Sequence, residues 1–515
     1  MTATIFWSAV LRITQAVIQA APTILVGLVV AGVFRRLLGH EGTRRLFGSG
    51  TWRELPQAWL IGMLMPVCSL GVIPVAREMR RAGIAGGTVL AFAMTAPLFN
   101  PLSLLYGLTL SEPLVIFAFA FNALIVVTLV GGLWDRLFPN AREEQEGPPP
   151  VAYGLKRMAS VLLVGARELV GPSLAYMLIA LAGVGLLCAV LPHGSLSTTM
   201  EHTNRYAPLQ MAAVAVPAYA TPMVAMSQLG SMFQHANSVG AAFVLLTLGA
   251  GLNLGLAAWV YRNYGLARGS AWFTILLVIV LGLAYAVENP LHPSGIDSPG
   301  HTHAFDNYCR PFEVGEQDLP ATVGRKLKED LLPHERVALT TVAVLAAVGL
   351  VLRLADPTHR VEAWLERQPE PHGNAGGWLN WTVPSPVLGG VALALLVAFS
   401  LVGCFAYYPS SSEVFEEMRI IRGEVLTAAL SGNKKHAAHF IPLWDDWTRR
   451  LQVGVFLREG NLSPYRRMKA KVFRDRLEFL KHAVEEGDRE ESRAWIDVVD
   501  RAHRRMRAAF TTPNS

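Results

Sequence analysis

The chain has 515 residues, of which 52% are hydrophobic and only 16% charged, with a mean hydropathy of +0.34. Soluble globular proteins carry about 25% charge, and several windows here run roughly 18 residues or more almost uncharged, long enough to cross a hydrocarbon core. This excludes a wholly soluble protein and predicts an all-α polytopic membrane protein with a soluble four-helix tail. The net charge of +6, without a basic patch interleaved with aromatics, points to membrane orientation and not to nucleic acid.

Taken in chain order, eight full spans are predicted at 8–34, 88–110, 114–133, 170–192, 240–262, 270–288, 336–354 and 386–406. The first carries Arg12, a long apolar run and then Arg35-Arg36, so it reads as a transmembrane helix and not as a cleaved signal. Two other apolar stretches, 57–76 and 207–230, are interrupted by prolines: Pro66 and Pro74 in one, Pro208, Pro217 and Pro222 in the other. If the N-terminus lies outside and both stretches are re-entrant hairpins, the inside loops collect Arg35, Arg36, Arg44, Arg45 and Arg53, then Arg77, Arg80 and Arg81. They go on to collect Arg136, Arg157, Arg262, Arg268 and Arg360, while Arg205 is the exception outside. A full crossing at 57–76 would strand Arg77, Arg80 and Arg81 outside, so the charge rule favours re-entry.

The pattern span, broken stretch, span, span occurs twice, over about 8–133 and about 170–288. "VIPVA" (72–76) parallels "ATPMVA" (220–225), and "AFAMTAPLFN" (91–100) parallels "AFVLLTLGAGLN" (242–253). The first broken stretch enters from inside and the second from outside, which makes the repeats inverted. Paired broken helices in inverted repeats mark secondary transporters, with the substrate near the midplane where they meet.

Beyond this core, residues 1–290, come a polar loop at 291–334, two further spans within 335–406, and a charged tail at 407–515. The tail reads as four helices. Ser410 with Glu413 makes a capping box, Ser463-Pro464 opens a third helix, and Asp488 with Glu491 opens a fourth. The topology puts loop and tail on one face, expected to be extracytoplasmic.

The candidate residues follow from backbone chemistry. Pro66, Pro74, Pro217 and Pro222 remove donors and are expected to free carbonyls toward a cavity; Gly71 admits backbone that a side chain would block. Ser69 and Thr221 add hydroxyls, and Cys68 adds a soft ligand. Asn100 and Asn253 end the two parallel segments, and an amide at membrane depth marks either a pathway or a bond between helices. Asn122 and Gln228 are weaker members of this set. No Asp, Glu or Lys falls mid-span, and no ATP-binding, hydrolase or dinucleotide motif occurs. In "HTHAFDNYC", His301, His303 and Cys309 could take zinc or copper, as could His436 and His439 at i and i+3 in the tail; solvated surface histidines are the plainer reading.

The segments "AAPTILVGLVVAGVFRRLL" (20–38), "CSLGVIPVA" (68–76), "GIAGGTVLAFAMTAPLFNPLS" (83–103) and "YATPMVAMSQL" (219–229) resemble the predicted permeases that include the ArsP-type organoarsenical efflux permeases. The resemblance covers about 8–290. The family pattern reads Cys-Ser-Cys-Gly where this chain has Cys68-Ser69-Leu70-Gly71, so one thiol is missing. The resemblance implies a non-enzymatic inner-membrane permease. It would export a small, possibly metalloid or metal-linked solute by alternating access past Pro66, Cys68, Ser69, Gly71, Pro74, Asn100, Pro217, Thr221, Pro222 and Asn253. Its partners are a small-molecule substrate and the lipid bilayer; oligomeric state is left open. The competing expectation is a non-transporting membrane metal sensor that uses the His loop and the tail.

Overall fold

The computed structural model describes residues 2–48, 53–111, 113–139, 156–192, 194–197, 199–292, 304–312, 318–366 and 384–511. They divide into two compact units, Met1–Leu104 with Leu114–Ser400, and Leu105–Pro113 with Leu401–Ser515. Regular structure in both is helical.

In the larger unit, α1 (Thr2–Gly32) runs through a π-helical turn, Val33–Leu38, into α2 (Gly39–Phe47). Next come α3 (Glu54–Leu64) and α4 (Val72–Arg81), separated by a non-helical tip. Both ends of this pair lie beside α2: Gln57 donates to the Leu46 carbonyl at 2.5 Å, and Arg44 Nε donates to the Ala82 carbonyl at 2.6 Å. Then follow α5 (Gly86–Thr95), α6 (Pro101–Leu110) and α7 (Pro113–Leu137).

Next come α8 (Lys156–Leu169) and α9 (Pro172–Val190). A second broken pair follows, α10 (Ala207–Ala215) and α11 (Pro222–Gln234). The two ends of that pair also share one end of the unit. Tyr285 Oη donates to the Arg205 carbonyl at 3.0 Å, and Ser238 N donates to the Met200 carbonyl at 2.9 Å. After it come α12 (Val239–Val244) with a π-helical turn at Leu245–Ala250, α13 (Leu254–Tyr264) and α14 (Leu266–Glu288). The chain continues through α15 (Leu319–Asp330), α16 (Pro333–Ala355), α17 (Arg360–Glu366) and α18 (Ser385–Tyr407).

Among the described residues, six helices are long and apolar enough to cross a membrane, or seven if Val239–Ala250 and Leu254–Tyr264, bent by 59°, form one span. This departs from the eight uninterrupted spans expected. The predicted 88–110 span is two helices of 10 residues on either side of Ala96–Asn100. Pro97 and Pro101 explain the break: each lacks an N–H, and Pro101 holds Asn100 away from the helical region. At 251–253 the chain opens without proline, and Asn253 takes an extended conformation that starts α13 afresh.

Packing follows the rule for lipid-embedded helices, in which small residues let backbones approach closely. A β-carbon on Gly27 of α1 would lie 2.1 Å from the Gly71 carbonyl oxygen, and one on Gly183 of α9 would lie 2.7 Å from that of Pro217. α1 and α9 therefore each seat one broken pair through a glycine. Trp134, Trp259, Trp272, Phe119 and Phe243 are wholly buried, whereas Leu114, Phe117 and Phe121 of α7 and Leu350 and Leu354 of α16 lie exposed on apolar faces that suit lipid.

Charge is sorted along the unit. One end holds Arg77 bonded to Glu168, Arg80 bonded to Asn263 Oδ1, and Arg167 between Asp356 and Glu362. The other end holds Arg12 over the Asp306 and Cys309 carbonyls, and Arg310 donating to the Ala189 carbonyl at 3.0 Å.

The smaller unit is built from α19 (Ser411–Ser431), α20 (Lys434–Glu459), α21 (Pro464–Glu486) and α22 (Arg489–Thr511). Ser410 and Glu413 form the capping box, Ser463 Oγ accepts from Arg466 N, and Asp488 Oδ1 accepts from Glu490 N and Glu491 N. The core joins Val414, Met418, Trp444, Leu451, Phe473, Leu480, Val499 and Met506. Asp445 receives Arg474 Nε at 2.5 Å and Arg449 Nε at 2.7 Å, and Arg449 also donates to Tyr106 Oη at 2.9 Å.

Candidate functional site

The first broken pair parts where its sequence demands it. Pro66 disfavours helix at Met65, which is extended, so α3 stops at Leu64. The tip then turns on itself: Val72 N donates to the Cys68 carbonyl at 2.9 Å, and Gly71 N donates to Cys68 Sγ at 3.4 Å. In the second pair Pro217 lies in the gap between α10 and α11, and Thr221 Oγ1 caps α11 by accepting from Val224 N at 3.4 Å. Pro74 and Pro222 depart from expectation. They stand in the first turns of α4 and α11, where a missing N–H costs no intrahelical bond, so they begin helices and free no carbonyl.

The two tips come together. Cys68 and Leu70 share one buried cluster with Tyr219, walled by Ala16, Ala20 and Ile24 of α1 and by Met177, Ala180 and Val184 of α9. The Tyr219 hydroxyl lies beside the Cys68 thiol. Tyr219 was missed from sequence, although it stands in the broken stretch "PAYATP" as its one aromatic.

Asn100 and Asn253 perform the same local task. Each stands before a half-helix and accepts through Oδ1, at 2.8 Å, from a backbone N–H three residues on, Ser103 and Leu256 respectively. Because the oxygen must face that N–H, the Asn253 amide nitrogen is aimed elsewhere, and it has no hydrogen-bond partner among the described residues. Ser69 Oγ is likewise buried without one, while Tyr219 Oη has only the Cys68 thiol beside it. Unpaired buried polar atoms are costly and uncommon, so the Ser69 hydroxyl and the Asn253 amide nitrogen, each at a helix break, ask for water or a solute. The broken spans also touch at their breaks: a β-carbon on Gly251 would lie 3.0 Å from the Met94 carbonyl oxygen and 2.8 Å from Leu98. Asn122 is buried on α7, and Gln228 Oε1 accepts from Tyr308 Oη at 2.7 Å.

Two carboxylates escaped the sequence reading because they lie at span ends. Asp135, at the end of α7, accepts from Gly87 N at 2.8 Å and so caps α5. Glu288, at the end of α14, accepts from Gly240 N at 2.6 Å and Ser238 Oγ at 2.7 Å, and so caps α12. Its other oxygen meets His202 Nδ1 at 2.7 Å. α7 thus holds the start of α5, and α14 the start of α12, through a carboxylate on a positive helix end.

A model of the family described as "Predicted permease" (ArsP_1) matches residues 6–289, more than half of the chain. The chain belongs to this permease family. UPF0718 protein YcgR of Bacillus subtilis (strain 168) is 31% identical over 87 residues, 17% of this chain and 30% of that protein, so the match spans under a third of the relative's length. No solved structure matches. With six or seven apolar spanning helices among the described residues, this predicted permease is a multi-pass membrane protein.

His301 and His303 lie outside the described residues. Cys309 is buried, and burial pushes its thiol up, away from the thiolate a soft metal prefers. His436 Nε2 meets Glu424 Oε2 at 2.7 Å, and the His439 ring packs edge-on against Phe440. Among the described residues no group of three or more His, Cys, Asp or Glu could hold a metal ion.

Proposed function

We propose that this permease exports a small, soft-element or metal-linked solute by alternating access. In this reading α3–α4 and α10–α11 are re-entrant hairpins and their tips form the midplane barrier. The meeting of Cys68 and Tyr219 between α1 and α9 carries the reading. It is supported by the unpartnered Ser69 and Asn253 atoms, which would hydrogen-bond a solute or its hydration water.

Each residue has a stated part. The Cys68 thiol is the soft ligand, as the resemblance implies, and the Tyr219 hydroxyl lies beside it. Asn100 and Asn253 aim half-helix N-termini, with their positive dipole ends, at the path. Pro66 and Pro217 keep the tips from closing into continuous helices. No chemical step is involved. The inner membrane is the expected location, with the charged end that holds Arg77, Arg80 and Arg81 on the cytoplasmic side.

The test is an uptake screen in everted vesicles, with trivalent metalloid compounds and soft metal complexes as probes. Cys68→Ser and Tyr219→Phe are compared with the unaltered protein. At least one probe should accumulate, and Cys68→Ser should reduce its accumulation at least tenfold while the protein level in the membrane stays constant. Accumulation that ignores both substitutions would sink the proposed path.

A further inference from the structure

We infer that a second site, an arginine-lined cavity at the charged end of the larger unit, binds an oxyanion group of the phosphate or phosphonate class. The cavity measures about 1070 Å³. Arg35 and Arg36 reach it from the π-helical turn after α1, Arg81 from the end of α4, Arg167 from α8 and Arg353 from α16.

The charge does not balance. The walls set five arginines against Glu168 and Glu362. Adding Arg77, and the acids just behind the wall, Glu78 and Asp356, gives six arginines against four carboxylates, with His359 at the rim. Those carboxylates are shared. Glu78 meets Arg81 at 2.6 Å and Arg35 at 3.8 Å, while Glu168 bonds Arg77 and lies 3.8 Å from Arg81. Arg167 takes both Asp356, at 3.1 Å, and Glu362, at 2.9 Å. Arg353 meets no carboxylate among the described residues and donates to the Val170 carbonyl at 2.7 Å.

Surplus guanidinium charge in a partly closed cavity is unfavourable until an anion enters, and the planar fork of arginine suits tetrahedral oxyanions. Gly171 and Pro172 also line the cavity, so the first turn of α9, which has no side-chain cap, presents its positive end there. The oxyanion has two possible sources. A soluble phosphorylated or phosphonate compound could enter from the aqueous face. Alternatively, a phospholipid headgroup could reach Arg353, which ends a span whose apolar stretch is only 11% buried.

The full chain in neutral-detergent micelles separates these sources by calorimetric titration with inorganic phosphate in one arm and dihexanoyl phosphatidylglycerol in the other. At least one probe should bind, and Arg353→Gln and Arg35→Gln should each weaken it about tenfold. Arg353 is exposed, so its substitution should leave the melting temperature unchanged and report on binding alone. Phosphate binding assigns a soluble ligand, and binding of the lipid probe alone assigns a headgroup. Binding of neither probe, or equal affinity in the unaltered protein and both variants, overturns the inference. The readout involves no transport, so failure of the path through the hairpin tips would leave it standing, and the reverse.

Discussion

Replacing Gly27 by alanine places a methyl carbon 2.1 Å from the Gly71 carbonyl oxygen and 2.6 Å and 2.7 Å from that residue's carbonyl carbon and Cα. Real β-carbon contacts essentially never fall below 3.0 Å, so a gap of about 0.9 Å has to be made. Backbone lies on both sides of the contact, and no flexible side chain can swing aside. Either the tip that carries Cys68 withdraws, or α1 turns away from it. Overpacking of this kind costs about 1–3 kcal/mol. Two measurements check it: thermal unfolding of the purified protein, and the rate at which maleimide modifies Cys68 when it is the sole cysteine. Cys68 is wholly buried, so the unaltered protein should label slowly. Gly27→Ala should lower stability by about 1–3 kcal/mol and speed labelling. Gly282→Ala, where nothing lies within 4 Å of the added carbon, should do neither. If the two variants behave alike, the glycine seat is not what holds the tip.

Asp135→Ala and Glu288→Ala remove the caps of α5 and α12 and should each cost about 1.5–3 kcal/mol, with the loss of amide protection in hydrogen exchange confined to the capped helix. Glu288→Ala should be the more damaging, because that carboxylate also receives Ser238 and His202. In the smaller unit His503 is 5% exposed and packed edge-on against Phe415 and Phe473, and burial pushes its pKa down to about 4. An imidazole whose folded pKa lies below its unfolded value of about 6.5 favours folding in the neutral form. Its contribution is complete above that value and is lost as pH falls toward 4. Protection factors in α19–α22, corrected for the intrinsic pH dependence of exchange, should therefore fall between about pH 6.5 and 4, and His503→Leu should flatten that limb.

Much of this was legible beforehand because it rests on local rules. Apolar runs located the spans, Pro66 and Pro217 located the breaks, and Ser410, Ser463 and Asp488 located helix starts. The misreadings have physical causes. Pro97 and Pro101 sit in a run so apolar that hydropathy alone joins 88–110 into one span. Pro74 and Pro222 look like helix breakers until their distance from the first turn is known. Asp135 and Glu288 were passed over because a carboxylate at a span end is ordinarily solvated, and only the fold brings Gly87 and Gly240 to them. Tyr219 carries no motif; its position beside Cys68 depends on two hairpins separated by some 150 residues of chain.

The paired caps also have a mechanical consequence. Asp135 ties α7 to α5 and Glu288 ties α14 to α12, so the start of each of those broken spans is braced. In the alternating access proposed above, displacement would be taken up away from those braces. Gly251 lies at one such place, bare of side chain against Met94 and Leu98. A glycine there leaves a smooth bearing, on which two kinked helices can slide without a rotamer having to change.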